Sequence, residues 1–558
     1  MTTARWQAAR NSAAEQKLRQ AGVSPRTALL LANRGIEDAG QAEAFLTPSV
    51  SQLHDPFLLH GLDRAVARLV AARDRGERVA VVGDYDVDGV TATALLQVVF
   101  GSCGIDSHAI LPHRLEEGYG FQPLHVERAK ALDAKLIVTV DCGTSATRAV
   151  DCALEAGIDV VVTDHHLPGE ELPAGTVLVN PRQSGCAYPF PDLAGVGLAL
   201  KLAVGLAARL GRPLALDPLL RIACLGTIAD LVPLLGENRV IAARGLATFG
   251  ETRSVGLRAL MDRAGVKLPL RASDVGFRLG PRLNAAGRLA SPQSALELLL
   301  ARDAKTAGAL ADQLESANRS RQEEEMRVVQ EASALVTARA PLPPILLAWS
   351  EGWHKGVVGI AAGRLARELS RPTLLLAVED GRAVGSGRSV PGVDLHELVR
   401  RFETRCERFG GHSQAIGLTV ALPELEALRD DLEGAAAEVP PELLSRRHEY
   451  ELTVPAAELG PELLAELSRL EPFGMGNPQP AIRVQGLRLV GEPRRFGQGH
   501  LSATAEGPEG EPVPLVGWRW AERAPDLAGN FEALGYLEED SYRGEPVLRL
   551  TDVRPWQE

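Results

Sequence analysis

The sequence predicts an α/β protein that has a larger parallel-sheet domain, a long connecting helix, a smaller α/β domain and a C-terminal β-barrel. Three observations predict this arrangement. Short apolar runs alternate with helical stretches between residues 62 and 166, residues 303–340 carry one uninterrupted helical pattern, and short β runs separated by Gly/Pro turns fill the C-terminal part. The 558 residues are enough for roughly three or four hydrophobic cores.

Composition and charge limit the class of protein but not its partner. The chain is 45% hydrophobic and 24% charged, which is typical of a folded globular protein and excludes wholesale disorder. A net charge of −12 argues mildly against a broad nucleic-acid surface. Arg greatly outnumbers Lys, however, and a local Arg-lined groove can bind phosphates through bidentate contacts.

The cysteines and the N-terminus indicate the compartment. The 6 cysteines form no C-x-x-C pair and no Cys/His cluster at zinc spacing, so free thiols in a reducing compartment are expected. The N-terminal residues lack the apolar segment of a signal peptide, and no window approaches ~18 uninterrupted apolar residues. We therefore expect a cytoplasmic protein without a membrane segment.

The first half of the chain divides into three predicted segments. Residues 1–60 read as helical and solvated, and a core begins at Leu62. In residues 61–302 the short, wholly apolar strands RVAVVG, KLIVTV and DVVVT alternate with helices, which predicts a parallel sheet covered on both faces. Residues 303–340 contain no proline and predict a long, partly exposed helix that connects two bodies.

Two further domains are predicted after this helix. Residues 341–442 repeat an α/β pattern on a smaller scale. Residues 443–558 contain the short β runs AIRVQGLRLVG, HLSATAEG, VPLVGW, FEALGYLE and VLRLTDVRP, separated by turns. Such spacing predicts a small sandwich or barrel, and of these we favour an OB-like barrel.

Three carboxylates alternate directly after the first apolar strand. In VVGDYDVDGVTAT, an extended backbone would point Asp84, Asp86 and Asp88 to the same side. Closely spaced carboxylates raise each other's pKa unless a divalent cation keeps them ionised. The alternative is a solvated acidic turn, because Asp and Gly favour turns.

Further metal-ligand candidates follow the next strands. LIVTV ends at Asp141, and DVVVT ends at Asp164-His165-His166. The carboxyl ends of parallel strands form the edge where ligands bind. A His-His pair alone is more often a surface feature. Here it follows a strand end, as the aspartates of the two preceding strands do, and this repeated placement favours a metal site. Mixed carboxylate and imidazole ligands suit Mn²⁺, and Mg²⁺ also fits.

Asp230 lies in the otherwise apolar stretch ACLGTIADLVPL. An unpaired carboxylate is costly to bury, so Asp230 needs a partner there. A metal ion is one such partner. The alternative is that Asp230 caps the start of a following helix.

At this point the motifs resemble a known family. DYDVDG, VTVDCG, VVTDHH and GTIADLVPL resemble the first motifs of the DHH phosphoesterase superfamily, and PRLNAAGRL, GWHKGVVGI, GSGRS, GGHSQAIGLT and PFGMGNPQP resemble those of its RecJ family of exonucleases. The resemblance covers about residues 45–555 in the family order. It identifies residues 61–302 as a DHH domain, 341–442 as a DHHA1 domain and 443–558 as an OB-fold domain.

The resemblance also implies a catalytic centre with two divalent metal ions, Mn²⁺ or Mg²⁺. Asp84 and Asp86 would hold one ion, Asp141 would bridge, and the other ion would be held by Asp88, His165 and Asp230. His166 would face the phosphate rather than the metal. Asp164 would orient a histidine through its other ring nitrogen.

Phosphate-binding candidates come mainly from the smaller domain. The GSGRS segment offers close backbone approach, two hydroxyls and a guanidinium, supplied by Ser386, Gly387, Arg388 and Ser389. Further candidates for contacts to strand phosphates, each weighed against an ordinary surface role, are Arg114, Arg282, Asn284, Arg288 and His412. Three aromatic residues can either stack on bases or pack in a core: Tyr119, Phe121 and Trp353.

The function implied by the resemblance is single-stranded-DNA-specific 5′→3′ exonuclease activity that releases mononucleotides during recombination and repair. A monomer is expected, with a single-strand-binding protein and a RecQ-type helicase as partners by family analogy. One alternative is a small-substrate DHH phosphodiesterase for oligoribonucleotides or cyclic dinucleotides, which would leave the long helix and the barrel without a purpose. A second is a strand-binding scaffold with a decayed site, against which the complete set of ligand positions weighs.

Overall fold

A computed structural model describes residues 5–9, 11–114, 117–118, 120–169, 171–289, 291–339, 341–540 and 543–556. Within these ranges, no helix combines the length and the apolar character needed to cross a membrane. The predicted succession of a parallel-sheet domain, a long helix, a smaller α/β domain and a barrel is confirmed.

The N-terminal segment is helical but not solvated. It contains β1 (Arg5–Ala8), α1 (Ser12–Gln20), α2 (Pro25–Ala32) and α3 (Ala39–Leu46). The prediction of a solvated segment is wrong, because Leu18, Leu30 and Leu31 are fully buried. One face of each helix packs into a core that is shared with the C-terminal barrel.

The larger domain is built on a parallel sheet. Its first elements are α4 (Leu62–Asp74), β2 (Arg78–Gly83), α5 (Val87–Cys103), β3 (Ser107–Ile110), α6 (Pro123–Ala131), β4 (Ala134–Val140), α7 (Thr147–Glu155), β5 (Asp159–Thr163) and β6 (Val177–Val179). The strands follow the order β3-β2-β4-β5-β6, and all pairings are parallel. Val79 and Val81 face one hydrophobic core while Ala80 and Val82 face another, so both sides of the sheet are covered as predicted.

Helices complete this domain on the side that carries α5. They are α8 (Gly195–Arg209), α9 (Leu216–Ala229), α10 (Gly236–Thr248), α11 (Val255–Ala264), α12 (Ala272–Asp274), α13 (Gly280–Leu289) and α14 (Gln293–Leu300), with a π-helical turn at Val275–Leu279. Helices α8 and α9 pack directly against α5. The first turn of α5, which carries Asp88, therefore lies against two buried helices.

The long helix connects the two α/β domains, as predicted. It is α15 (Ala304–Thr337), followed by β7 (Leu346–Ser350), α16 (Val358–Leu369), β8 (Thr373–Glu379), β9 (Arg382–Arg388), α17 (Leu395–Arg400), β10 (Cys406–His412), β11 (Ala415–Ala421) and α18 (Leu425–Ala436). Helix α15 contacts α11, α13 and α14 on one side, and α16 and β7 on the other. The smaller sheet has the order β10-β11-β9-β8-β7, in which only β7 and β8 are parallel.

The C-terminal part is a closed barrel. Its elements are β12 (Arg447–Tyr450), β13 (Leu452–Thr453), α19 (Pro461–Ser468), β14 (Ile482–Phe496), β15 (His500–Glu506), β16 (Pro512–Gly517), β17 (Asn530–Glu539) and β18 (Pro546–Pro555). Strand β14 pairs with both β15 and β17, which closes the ring through β16 and β18. The prediction of an OB-like barrel is confirmed.

The N-terminal segment and the barrel form one structural body that is fastened to the larger domain. Strand β1 pairs with β12 in parallel. The buried guanidinium of Arg239 on α10 donates to the carbonyl oxygens of Phe45, at 2.7 Å, and Leu470, at 2.9 Å. A single side chain of the larger domain thus contacts both the N-terminal segment, at Phe45, and the C-terminal part, at Leu470.

Candidate metal centre and phosphate cleft

The first acidic motif turns from strand into helix instead of staying extended. Asp86 caps α5, and its Oδ1 accepts hydrogen bonds from the backbone N–H groups of Asp88, at 2.9 Å, and Gly89, at 3.1 Å. The prediction that an extended backbone aligns the three carboxylates is therefore wrong. They converge because Asp84 ends the strand, Asp86 caps the helix and Asp88 lies in its first turn.

Backbone donors of a distant helix hold Asp88. Its carboxylate accepts hydrogen bonds from the N–H groups of Gly195, at 2.6 Å, and Val196, at 2.8 Å, at the start of α8. A Cβ atom at Gly195 would lie 2.6 Å from Cβ of Asp141, so only glycine permits this approach. The sequence analysis missed both donors, and its one available signal was a glycine at the start of an apolar helix.

His165 lies among three carboxylates from separate elements. Its Nε2 atom is 3.1 Å from Oδ1 of Asp141, 3.6 Å from Oδ2 of Asp230 and 4.0 Å from Oδ2 of Asp88. Asp141 has a left-handed backbone with φ of 61°, and its N–H donates to the carbonyl oxygen of Thr163. This local turn places its side chain over the end of the neighbouring strand.

The predicted residues form three overlapping groups that can each hold a metal ion. Within each group the potential ligand atoms lie within 4.8 Å of one another; the groups are Asp84/Asp86/Asp141, Asp88/His165/Asp230 and Asp141/His165/His166. Asp230 follows the last residue of α9, which excludes the alternative that it caps the start of a helix. Two of these groups contain residues expected to share a metal position, and the third adds His166, which was expected to face the phosphate; the division of ligands between two ions stays a prediction.

The electrostatics of the cluster favour cations. Burial, with the charge of neighbouring carboxylates, raises the pKa of Asp84 to about 8, of Asp88 to about 7 and of Asp230 to about 9. Burial also raises the pKa of Asp141 and lowers that of His165 to about 4. Without a counter-charge these carboxylates would hold protons at neutral pH, whereas divalent cations would keep them ionised.

Orphaned polar atoms provide an independent test of the fit to metal ions. Among the residues described, Oδ1 of Asp84, Oδ1 of Asp141 and Nε2 of His165 are buried without a hydrogen bond. A buried polar atom without a partner costs free energy, and three in one cluster need a common explanation. Carboxylate oxygens and an imidazole nitrogen are suitable ligands for Mn²⁺ or Mg²⁺.

Asp164 contacts a ring nitrogen of His166, in line with the expectation that it orients a histidine of the site. Its Oδ1 lies 2.7 Å from Nδ1 of His166 and accepts the N–H of His165 at 2.8 Å, while Oδ2 accepts the N–H of Thr144 at 2.9 Å. Burial raises the pKa of Asp164, but the bonds from His166 and Thr144 outweigh it and lower the pKa to about 2. In return, the Asp164 carboxylate outweighs burial and raises the pKa of His166.

Arg114 lies near the carboxylates, and Arg388 of the smaller domain lies close enough to Arg114 for their charges to interact. The Arg114 guanidinium lies 4.8 Å from the centre of the Tyr85 ring, and its charge offsets a small part of the rise that burial causes in the pKa of Asp84. Burial and the charge of Arg114 lower the pKa of Arg388, at the end of β9. In the described part of the chain neither arginine has a carboxylate within ion-pair distance, so both remain able to bind an anion.

The glycines of GSGRS serve the sheet rather than an exposed loop. The segment belongs to β9, which is paired on both sides. A Cβ atom at Gly387 would lie 2.8 Å from side-chain atoms of Leu395 and Ile416. The glycines thus have a packing role in the sheet, and close phosphate approach by this backbone stays a prediction. Ser389 donates to the carbonyl oxygen of Val393, and Ser386 lies against Gly359 of α16. Of this segment, Arg388 is the residue whose charge interacts with that of Arg114.

The other candidates are distributed differently. Arg282 pairs with Glu315 at 2.6 Å and ties α13 to α15, while Asn284 is half-buried on α13. His412 is exposed at the end of β10, across β11 from Arg388. Phe121 and Trp353 are buried, which supports core packing for both. The Arg288 side chain and Tyr119 lie outside the described residues.

Comparisons with known proteins agree with this site. Family models match the N-terminal domain of the DHH family at residues 78–227, the DHHA1 domain at 342–438 and the RecJ OB domain at 450–551. A single-stranded-DNA-specific exonuclease RecJ from Dickeya dadantii is 39% identical, and the match covers 94% of this chain and 95% of that protein. The chain belongs to the RecJ family. The Bacillus subtilis member is 34% identical over 96% of this chain and 69% of its own length.

Solved RecJ structures extend the likeness to the fold and the metals. RecJ from Thermus thermophilus in complex with Mn²⁺ superimposes with a TM-score of 0.83 at 32% identity, covering 100% of this chain and 80% of that one. The Mg²⁺ complex of the same protein gives a TM-score of 0.78 at 30% identity, covering 100% of this chain and 79% of that one. One relative with the same fold therefore binds both of the expected metals.

Proposed function

We propose that this RecJ-family protein is a single-stranded-DNA-specific exonuclease that hydrolyses phosphodiester bonds with two divalent cations. It removes mononucleotides from the 5′ end during DNA recombination and repair. The observation that carries the proposal is the buried carboxylate–histidine cluster, together with the neighbouring Arg114, which has no carboxylate partner in the described residues. This arrangement suits a phosphate whose ester bond is to be broken.

The residues divide the work of holding the cations. Asp84 and Asp86 serve one position, Asp141 belongs to both, and Asp88, His165 and Asp230 serve the other. When bound, the two cations activate water at neutral pH and stabilise the charge on the attacking and leaving oxygens. The backbone donors of Gly195 and Val196 fix the Asp88 carboxylate before any ligand binds.

The remaining residues bind and orient the substrate. Asp164 fixes the His166 ring through Nδ1 and raises its pKa, which favours the protonated form that would present positive charge to the phosphate. Arg114 and Arg388 bind the phosphate at the strand end from opposite domains. Charge-assisted contacts of this kind both hold the anion and fix its orientation.

The cysteines and the family resemblance indicate the setting of the reaction. Six free cysteines suit a reducing compartment, and we place the enzyme in the cytoplasm. Action as a monomer, with a single-strand-binding protein and a RecQ-type helicase as partners, rests on the family resemblance alone.

The decisive experiment follows a single strand labelled at each end in turn, with Mn²⁺, Mg²⁺ or chelator. We expect mononucleotide release from the 5′ end with either metal and none with chelator. Asp141→Ala should abolish hydrolysis but leave strand binding, because Asp141 belongs to both metal positions. The exposed Asp151 on α7 offers a matched control, Asp151→Ala, which should act like the wild type.

Two outcomes would count against the proposal. Efficient hydrolysis of dinucleotides or cyclic dinucleotides, with little on long strands, would favour the small-substrate phosphodiesterase. More than about a tenth of wild-type turnover in Asp141→Ala would exclude a shared ligand, because losing one should remove several kcal/mol of transition-state stabilisation.

A further inference from the structure

Glu117 is a carboxylate that the proposed reaction does not use. It lies three positions after Arg114, on the segment that connects β3 to α6, and its side chain is 11% exposed. Its Oε2 atom lies 3.0 Å from Nε2 of His125, and its Oε1 atom accepts a hydrogen bond from Nη2 of Arg128 at 2.6 Å. Both partners belong to α6. The two oxygens of this carboxylate are therefore bound to one helix.

The hydrogen bonds of His125 define its tautomer. The ring is fully buried, and its Nδ1 atom accepts the backbone N–H of Gln122 at 3.0 Å. A ring nitrogen that accepts a hydrogen bond carries no proton, so in the neutral ring Nε2 is protonated and donates to Glu117. Burial lowers the pKa of His125 against the opposing effect of the Glu117 carboxylate, which favours the neutral ring. Glu117 thus has one fixed neutral donor and, in Arg128, one charged donor.

The backbone of Glu117 connects this contact to Arg114. The N–H of Glu117 donates to the carbonyl oxygen of His113, the residue directly before Arg114, at 2.8 Å. Helix α6, to which the Glu117 side chain is bound, packs against β3 and β4 of the parallel sheet. The position of Arg114 relative to the sheet therefore depends on how firmly Glu117 is held.

A fixed backbone matters for Arg114 because its guanidinium acts at the edge of the metal cluster. The guanidinium lies over the Tyr85 ring, and its charge acts on Asp84 and on Arg388. A long guanidinium side chain loses much rotamer freedom when it binds an anion in one orientation. If the backbone that carries it were also free to move, the contact would have to offset a further loss of entropy. Holding that backbone in advance favours binding.

We propose that Glu117 is a positioning residue for the strand end, because its contacts with His125 and Arg128 fix the segment that presents Arg114 to the 5′-phosphate. The inference rests on the proposed function, in which Arg114 binds this phosphate. Glu117 does not itself touch the strand, since its oxygens are bound to α6 and its negative charge repels phosphate. A purely structural anchor would instead affect the stability of the protein and the turnover of all substrates alike.

The test compares initial rates of the full-length protein with Mn²⁺ on short single strands that carry a 5′-phosphate or a 5′-hydroxyl. Arg114→Ala should lower kcat/KM on the phosphorylated strand by about tenfold or more. Glu117→Ala should lower it by about three- to tenfold, mainly through KM, and should change the rate on the hydroxyl strand little. Because Glu117 acts through Arg114, the double variant Arg114→Ala/Glu117→Ala should be no worse than Arg114→Ala alone.

Two further variants separate positioning from folding. Arg128→Ala removes one donor to Glu117 from a side chain that is itself exposed, so it should fold normally and give a smaller loss in the same direction. Should Glu117→Ala fail to fold, Arg128→Ala decides the outcome. Glu127→Ala is the matched control, since Glu127 is an exposed glutamate of the same helix that pairs with Lys130, and it should act like the wild type. The Mn²⁺ affinity of Glu117→Ala, measured by calorimetry, should equal that of the wild type.

Equal losses on both strands, or losses that multiply in the double variant, would overturn the inference and leave Glu117 as a structural anchor only. A wild type that does not distinguish the two strand ends would also overturn it. The proposed function fails separately. In a protein without exonuclease activity, the ratio of Kd values for the two strands, measured in chelator by fluorescence anisotropy, still reports whether Glu117 acts through Arg114.

Discussion

Removing the Arg388 guanidinium tests the phosphate cleft most directly. The side chain is half-buried, and its Nη1 donates only to the carbonyl oxygen of Gly387 at 2.8 Å. No carboxylate of the described residues compensates this charge, so an anion is the expected partner. A hydrogen bond to a charged group contributes about 1.5–3 kcal/mol, which predicts a loss of roughly 10- to 150-fold in kcat/KM for Arg388→Ala.

The packing of Arg388 against α16 supplies a second, independent perturbation. A Cβ atom at Gly359 would lie 3.1 Å from Oγ of Ser386 and 3.4 Å from Nη2 of Arg388. Gly359→Ala should therefore displace the guanidinium and lower the rate without removing it. A Cβ atom at Gly363 would make only an ordinary contact, 3.5 Å from Cγ of Arg388, so Gly363→Ala is the matched control.

The assay compares initial rates on single strands that carry a 5′-phosphate or a 5′-hydroxyl, with metal occupancy measured separately. Arg388→Ala should lose more activity on the phosphorylated strand, since the bound group is the terminal phosphate. Arg388→Lys should rescue in part, because an ammonium keeps the charge but loses the planar fork. An unimpaired Arg388→Ala, or equal losses on both strands, would refute the assignment of this residue to the strand end.

Two further predictions concern the metals and the barrel. The pKa values of Asp84, Asp88 and Asp230 are raised in the folded protein. Their protonated forms therefore stabilise the metal-free fold fully below pH ~4, the ordinary pKa of an aspartate. This stabilisation is lost as the pH rises through about 7 to 9, where the three groups ionise. The rise in melting temperature on adding Mn²⁺ should therefore grow between pH 6 and pH 9, and a constant rise would contradict this. A deletion that removes the barrel from Glu449 onward but keeps the N-terminal helices should destabilise the protein, because Leu18 and its neighbours then lose the core that they share with the barrel. A fragment of residues 50–446 should instead still hydrolyse short oligonucleotides. It should bind long strands more weakly, and its affinity should depend less steeply on salt concentration. Equally tight binding of long strands would give the barrel another role.

Local sequence patterns were sufficient to locate the strand ends that carry the metal ligands. Apolar runs of strand length end at Asp84, Asp141 and Asp164, and parallel pairing brings these ends to one edge of the sheet. The costly burial of Asp230 in an apolar stretch likewise indicated a partner. Each of these features depends on neighbours along the chain, which a local sequence pattern can report.

Patterns that depended on the backbone path were less reliable. The alternation of Asp84, Asp86 and Asp88 indicated an extended segment, but capping by Asp86 starts a helix there. The glycines of GSGRS indicated close approach of a phosphate to the backbone, and in the structure they allow close packing inside a sheet. In both cases the same residue types are compatible with two local backbone conformations. The packing of the surrounding helices and strands decides which of the two is formed.

The sequence by itself determined the order of domains, the chemistry of the ligand set and the family of the chain. Only the tertiary structure decided that Gly195 holds Asp88 from 107 positions away, that Arg114 meets Arg388 across two domains, and that the N-terminal helices belong to the barrel. The physical reason is that periodicity and turn chemistry report contacts between near neighbours. Contacts between distant segments depend on how whole faces pack, which no local pattern encodes.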